Sequence, residues 1–478
     1  MAKKSITKNY IYNVAYQILI TILPLITTPY VSRVLNAEAI GIYSYTISIT
    51  TYFILFGSLG VALYGQREIA YYQTDKIKRS KIFWEINILR FVTMTIAMVI
   101  YYFIYVRQGE YKIYYEILLI ELLANCLDIS WFFRGIEEFK KTVVRNTIVK
   151  LISVALIFTL VKSVDDLYKY FIIYVLSTAI GNISLWLYLP KYIEKVKINE
   201  LNILKHLKPT IILFIPQIAV QIYTVLDKTM IGMIVSDKAE VGYYEQSQKI
   251  IKLLLSIITS LGTVMLPRMA ATFANGDNDK MKEYMKKSFN FVFLLAFPMI
   301  IGIDSVASKF VPLFFGNGYE KVTNIIYIIS PIILAIGLSN VVGTQYLLPT
   351  KRQKEYTISV ICGAIINFIL NMILIRMFRS LGASIATVIA EFSVTAIQLF
   401  AIRKDMNIKK IVNLSKKYLV YTRVMGIFVL LIGFKGNNSW TTIIIQGISG
   451  MVTYLVMLII LKDEFLLDNI NKILKVKK

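Results

Sequence analysis

Long apolar runs recur along this chain, separated by short basic connections. No soluble core of ordinary size could absorb them. A helix that crosses a bilayer needs about 20 mostly apolar residues, and in lipid only helices and closed barrels satisfy their own backbone polar groups. Fourteen segments meet that requirement: 9–34, 39–65, 82–106, 113–133, 142–161, 167–189, 209–235, 242–266, 288–303, 322–348, 356–376, 381–402, 417–434 and 440–461. The ninth is the shortest and stops before Asp304, and the apolar piece Phe310–Phe315 beyond it reads as re-entrant or interfacial. The expected fold class is an all-α polytopic membrane protein with about 14 transmembrane helices.

Charge patterning orients the chain. Only 17% of residues are charged, yet the net charge is +24. Most of the 53 lysines and arginines fall on alternate connections, and basic connections face the cytoplasm. Both termini are therefore expected inside. A nucleic-acid-binding surface would cluster the same cations on a soluble face, so no nucleic-acid partner is expected. The first apolar stretch carries Pro24 and Pro29 and no small-residue cleavage site, so it reads as a retained span rather than a signal peptide. No connection is long enough for a folded catalytic domain.

Little catalytic chemistry is encoded. Cys126 and Cys362 lie in apolar segments and His206, the single histidine, in a charged connection. That set offers no metal site, and no cofactor is expected. No Gly-Lys dipeptide occurs, hence no phosphate loop of the Walker type. Asp277-Asn278-Asp279 has the form of a metal-binding D-x-D, but it stands in a short connection with no nucleotide domain around it. The expectation is a secondary transporter, not an enzyme.

A faint repeat subdivides the chain. Gly41, Tyr43 and Arg67 recur 201 positions later as Gly242, Tyr244 and Arg268, and Asn36 aligns with Asp237. Six helices per repeat give halves of the same orientation, related by an axis along the membrane normal. This predicts an N-terminal lobe at 1–200, a C-terminal lobe at 201–405, a central cavity, and two additional helices with a basic tail at 406–478. Prolines in the first, seventh and tenth segments (Pro24, Pro29, Pro216, Pro331) are candidate bends, fixed or moving.

Charges at membrane depth cost about 2.5–3.5 kcal/mol each on insertion scales, so they face a cavity or a partner. Glu245, Lys249 and Lys252 follow i, i+4, i+7 spacing and share one helix face. Arg90 and Lys150 lie within the third and fifth segments, and Asp227 and Lys228 within the seventh. Glu121, Asp128 and Glu391 are acidic at depth. A water-filled, cation-walled cavity for an anionic head group accounts for these residues; so do intramembrane ion pairs and snorkelling, most readily for Arg33, Arg67, Arg134 and Arg268 near segment ends. Some of the 32 tyrosines would stack on sugar rings or, alternatively, form an interfacial belt.

The stretches RVLNAEAIGIYSYTISITTYF and LGVALYGQREIA, then DISWFFRGIEEFKKTVVRN, DKTMIG, VGYYEQSQKI and LPRMA, occur in that order. Together they resemble the Wzx-type flippases for polysaccharide and O-antigen repeat units, over residues 9 to 405. The resemblance implies the multidrug/oligosaccharidyl-lipid/polysaccharide superfamily, with two six-helix lobes working by alternating access in a bacterial plasma membrane. It implies an undecaprenyl-diphosphate-type lipid-linked oligosaccharide as substrate, and a polymerase and chain-length proteins as partners. By position in matching blocks, Arg33, Arg67, Arg134, Lys228, Lys249 and Arg268 become substrate-binding candidates alongside Arg90, Lys150 and Lys252. Asp128, Asp227, Glu245 and Glu391 are candidates for ion coupling. Asn36 departs from the pattern, which commonly has glycine after RVL. A peptidoglycan-precursor flippase and a cation-coupled multidrug exporter of the same fold are the competing readings, the latter calling for an acidic rather than a basic cavity.

Overall fold

A computed structural model describes residues 6–467. They form an all-helical protein, and the chain is a multi-pass membrane protein. Ten described helices are long and apolar enough to cross a bilayer, or eleven if one bent pair is a single span. The chain divides into two compact units, Met1–Gly232 with Ser236–Gly242, and Met233–Val235 with Tyr243–Lys478.

The first unit opens with α1 (Ile6–Ser58), which joins two of the expected segments end to end. They meet at Asn36, whose φ of 61° and ψ of 176° break the helix. Asn36 Oδ1 accepts from the Ala39 amide at 3.0 Å, which caps the second half. Leu59 and Gly60, both with positive φ, end α1, and α2 (Val61–Tyr71) follows. Asp75 caps α3 (Lys76–Tyr101), which widens into a π-helical turn at Tyr102–Val106. The fourth expected segment is two helices, α4 (Lys112–Cys126) and α5 (Ser130–Gly135). Then come α6 (Phe139–Leu160), α7 (Leu167–Trp186) and α8 (Leu207–Ile234). The side chain of Pro216 lies outside the described residues.

An aromatic core locks α2, α3 and α5 together. Phe83, Trp131, Phe132 and Phe133 are fully buried, and their close packing holds the helices together. The Phe83 and Trp131 rings stack at 5.7 Å. A Cβ on Gly65 would fall 2.5 Å from the Trp131 ring, so only glycine lets α2 lie against α5.

The connection between α7 and α8 is pinned to the same core. Arg79 donates to the carbonyls of Gln73 and Tyr192 at 2.6 Å each. Ser80 Oγ accepts from the Glu194 amide at 2.8 Å, and Glu85 Oε1 from the Asn202 amide at 2.7 Å. His206, expected in an open connection, is instead 2% exposed. Its Nε2 is 2.8 Å from Glu85 Oε2, its Nδ1 is 2.7 Å from the Tyr64 hydroxyl, and Lys205 reaches the same Glu85 oxygen at 2.7 Å. Burial holds His206 below its ordinary 6.5, so a neutral ring donates from Nε2 to the carboxylate and accepts the tyrosine hydroxyl at Nδ1.

The second unit contains most of α9 (Ala239–Ala274), then α10 (Asn278–Phe315), α11 (Glu320–Ile329) and α12 (Ile332–Ser339). Asn340–Leu347 is π-helical, and α13 (Gln353–Phe378), α14 (Ser380–Ala401), α15 (Ile408–Lys435) and α16 (Trp440–Ile460) complete it. The ninth expected segment is corrected here. Phe310–Phe315 is no re-entrant piece but the end of α10, which runs unbroken through Asp304. The helix tolerates that carboxylate because Ser330 Oγ donates to it at 3.1 Å. Asp277-Asn278-Asp279 serves as a cap: Asp277 Oδ1 accepts from the Lys280 amide at 3.0 Å.

Candidate functional site

A cavity of about 630 Å³ opens inside the first unit, walled by α1, α4, α5, α6 and α7. Its size suits a ligand of several hundred daltons. To its wall α1 contributes Ile20, Leu23, Pro24 and Thr27, and α6 contributes Thr142, Arg145, Asn146, Lys150 and Ser153. These polar α6 positions recur every three or four residues and therefore form one stripe. Part of this stripe meets α7, where Arg145 reaches the Gly181 carbonyl and Ser153 the Ser177 hydroxyl, and the rest lines the cavity.

Asn125, Asp128, Ser130 and Arg134 enter from the α4–α5 break, and Tyr170, Tyr174, Ser177, Thr178 and Asn182 from α7. The break itself makes this possible, because it turns a chain that would otherwise continue along the helix axis. Asp128 Oδ1 accepts the Ser130 amide at 2.8 Å, and Arg134 Nη2 donates to Ser130 Oγ at 3.3 Å. Arg145 Nη1 donates to the Gly181 carbonyl at 2.7 Å and Nε to Asn146 Oδ1 at 2.9 Å, which fixes its guanidinium at the wall. Tyr43 stands 4.7 Å from the Tyr170 ring and 5.8 Å from Tyr174. Three cations, Arg134, Arg145 and Lys150, face one carboxylate, Asp128. Amides, hydroxyls and aromatic rings fill the space between. Such a surface can hold an anion and hydrogen-bond a polyol.

Three of the sequence candidates, Asp128, Arg134 and Lys150, thus meet in one cavity. The others lie elsewhere. Arg33 is exposed on α1. Arg67 is exposed on α2, paired with Glu68 at 3.1 Å and set over the Tyr64 ring. Arg90 is buried in α3 and donates to the Asp128 carbonyl, so it braces the α4–α5 break from behind. Asp227 is buried and Lys228 half-buried on α8. Glu245, Lys249, Lys252 and Arg268 belong to the second unit, on α9; Lys249 and Glu245 pair at 3.9 Å, and Lys252 and Arg268 are exposed. Glu391 is buried on α14.

Two further residues matter that the candidate set lacked. Arg145 was discoverable from the α6 stripe, where polar residues recur at helical spacing through an apolar span. Glu121, recognised only as acidic at depth, is 5% exposed. It receives Asn125 Nδ2 at 3.1 Å on one oxygen, and its other oxygen has no hydrogen-bond partner. Asn125 lines the cavity, so this carboxyl sits directly behind the wall. Among the described residues no three His, Cys, Asp or Glu side chains converge on a common point.

This architecture has known counterparts. Residues 6–273 match the family described as "Polysaccharide biosynthesis protein", and residues 142–449 match the family "Lipid II flippase MurJ". The "Putative O-antigen transporter" of Escherichia coli strain K12 is 27% identical over 410 residues, covering 84% of this chain and 98% of that protein. A solved structure of the lipid II flippase MurJ in an inward closed conformation superposes with a TM-score of 0.76 at 17% identity, over 95% of this chain and 99% of that one. An inward-facing multidrug resistance transporter of the MATE family and MOP superfamily superposes at 0.58 with 12% identity, over 83% and 99%. At those identities the structures speak for the fold.

Proposed function

Because the chain belongs to the polysaccharide biosynthesis protein family, whose match overlaps that of the lipid II flippases, we propose that it is a flippase for lipid-linked oligosaccharides. The substrate is a repeat unit on an undecaprenyl-diphosphate-type carrier, made on the cytoplasmic face of a bacterial plasma membrane and delivered to the outer face. Both termini are cytoplasmic. The observation that carries this reading is the first-unit cavity, polar within a lipid-embedded bundle and richer in Arg and Lys than in Asp. A drug exporter for cationic compounds calls for the opposite sign.

In this reading Arg134, Arg145 and Lys150 attract the anionic head, and charge-assisted hydrogen bonds to guanidinium groups orient it. Asn125, Asn146, Asn182 and the tyrosines engage sugar hydroxyls and ring faces. The polyprenyl tail stays in the bilayer. Alternating access between the lobes at 1–200 and 201–405 moves the head across, with helices 406–478 as an appendage. Lys249, Lys252, Arg268, Arg33, Arg67 and Lys228 serve later stages of the path. Asp128, Asp227, Glu245 and Glu391 are the coupling carboxylates, and a polymerase and chain-length proteins take over the product. The match to the lipid II family over residues 142–449 favours one second reading, transport of the peptidoglycan precursor.

The test is deletion of the gene with quantification of surface polymer and of lipid-linked repeat units on each membrane face. Surface polymer should vanish and intermediates accumulate on the cytoplasmic face. Intact surface polymer with stalled peptidoglycan precursor would replace the first reading by the second.

A further inference from the structure

One surface stands out by its uncompensated charge. Between α14 and α15, and along the first turns of α15, Arg403, Lys404, Lys409, Lys410 and Lys416 are exposed. The single acid of this stretch, Asp405, is held by Arg352 at 2.6 Å. The remaining lysine, Lys417, is paired at 2.5 Å with Asp463, itself 2% exposed. Among the described residues no carboxylate pairs with the other five cations. The other lysine-rich connection is different: Asp277 and Asp279 stand among its lysines, and Glu283 pairs with Lys287.

The patch opens a helix longer than the hydrocarbon of a bilayer. α15 has 28 residues, about 42 Å at 1.5 Å per residue, whereas the hydrocarbon core is about 30 Å thick. The helix is thus about 12 Å longer than the hydrocarbon, a surplus shared between tilt and its two ends. Lys409, Val412, Asn413, Lys416 and Val420 form one exposed stripe, opposite the buried Ile411 and Tyr418. Past Val420 the same face carries one more exposed cation, Arg423, among the apolar Val424 and Ile427. Phe400, 63% exposed, carries the Arg403 guanidinium 3.4 Å above its ring, a cation–π contact.

We propose that this patch is a binding site for anionic phospholipid head groups, with the acyl chains directed along α15 toward Val420 and Ile427. Phosphate oxygens meet Lys409, Lys410 and Lys416 from the helix and Arg403 and Lys404 from the turn before it. Juxtamembrane clusters of four to eight Lys or Arg are the pattern that recruits such lipids.

The experiment uses the full chain, purified in detergent, with native mass spectrometry counting retained phosphatidylglycerol or phosphatidylcholine. Wild type should retain phosphatidylglycerol in clear excess. Each cation is worth about a fivefold change in affinity, so K409Q/K410Q/K416Q should lose about a hundredfold. K409R/K410R/K416R should bind like wild type, and K280Q/K282Q/K286Q should too, since those lysines belong to the compensated connection. Single variants such as K410Q give the fivefold step should the triple variant not fold. Equal retention of the two lipids by wild type, undiminished retention by the glutamine variants, or an equal loss in K280Q/K282Q/K286Q would each overturn the proposal.

Discussion

Gly41 and Gly242 meet backbone to backbone within the first compact unit. A Cβ on Gly41 would lie 1.7 Å from the Lys238 carbonyl oxygen, and one on Gly242 would lie 2.0 Å from that of Ala37. Lys238 stands to Ala37 as Gly242 stands to Gly41, 201 positions on. The contact is self-complementary in the manner of an isologous interface, although both faces come from one chain.

Gly41→Ala and Gly242→Ala should therefore fail at the level of folding. The obstacle is a carbonyl rather than a yielding side chain, and overpacking alone costs about 1–3 kcal/mol. Thermal unfolding and monodispersity in detergent check this. Gly302→Ala and Gly447→Ala, where an added Cβ meets nothing within 4 Å, should behave as wild type.

Asn36→Gly should stabilise the protein by about 1 kcal/mol, since a non-glycine residue at φ 61°, ψ 176° stores about 1–3 kcal/mol while glycine at a cap gives up only a few tenths. Asn36→Ala keeps the strain and loses the bond to the Ala39 amide, so it should destabilise by about 1 kcal/mol. Denaturant or thermal midpoints of the three proteins decide it.

Lys150→Gln and Arg134→Gln should each weaken binding of a lipid-linked oligosaccharide about tenfold, the loss expected for one charge-assisted hydrogen bond. Yield and melting temperature of Lys150→Gln should hold, because Lys150 is exposed to the cavity. Lys150→Arg should restore most of the affinity. Unchanged transport in Lys150→Gln/Arg134→Gln would move the substrate path out of this cavity.

Stability should fall with acidification below about pH 6.5, where an unfolded chain protonates its histidine. The folded His206 is held neutral by burial, with its folded value depressed. Its contribution is therefore whole above 6.5 and shrinks as pH falls toward the folded value. His206→Gln should be less stable at pH 7.5 and show a flatter melting curve against pH between 6.5 and 5. An unaltered slope would mean that another group carries the acid sensitivity.

Periodicity made the helices legible because a bilayer imposes one length and one polarity on every span. It could not reveal where helices run on or break. The Asn36 kink, the α4–α5 break and the unbroken passage of α10 through Asp304 depend on single side chains finding partners. The cavity was half legible. Lys150 was visible as a charge at depth and Arg134 as a cation near a segment end, whereas Lys249 and Arg268 are equally visible and belong to another unit. Arg145 and Asp128 differ from snorkelling or capping residues only by what surrounds them, which is tertiary information. His206 looked like a connection residue because nothing local announces the Glu85 carboxylate that receives it from 121 positions away.

The pinned connection between α7 and α8 bears on how such a chain can be cut and rejoined. Severed near residue 200, the N-terminal fragment would lose Asn202, Lys205 and His206 together, leaving Glu85, 0% exposed, as an orphan anion in the aromatic core. Recombination between relatives at that point would pair a carboxylate with a foreign set of partners.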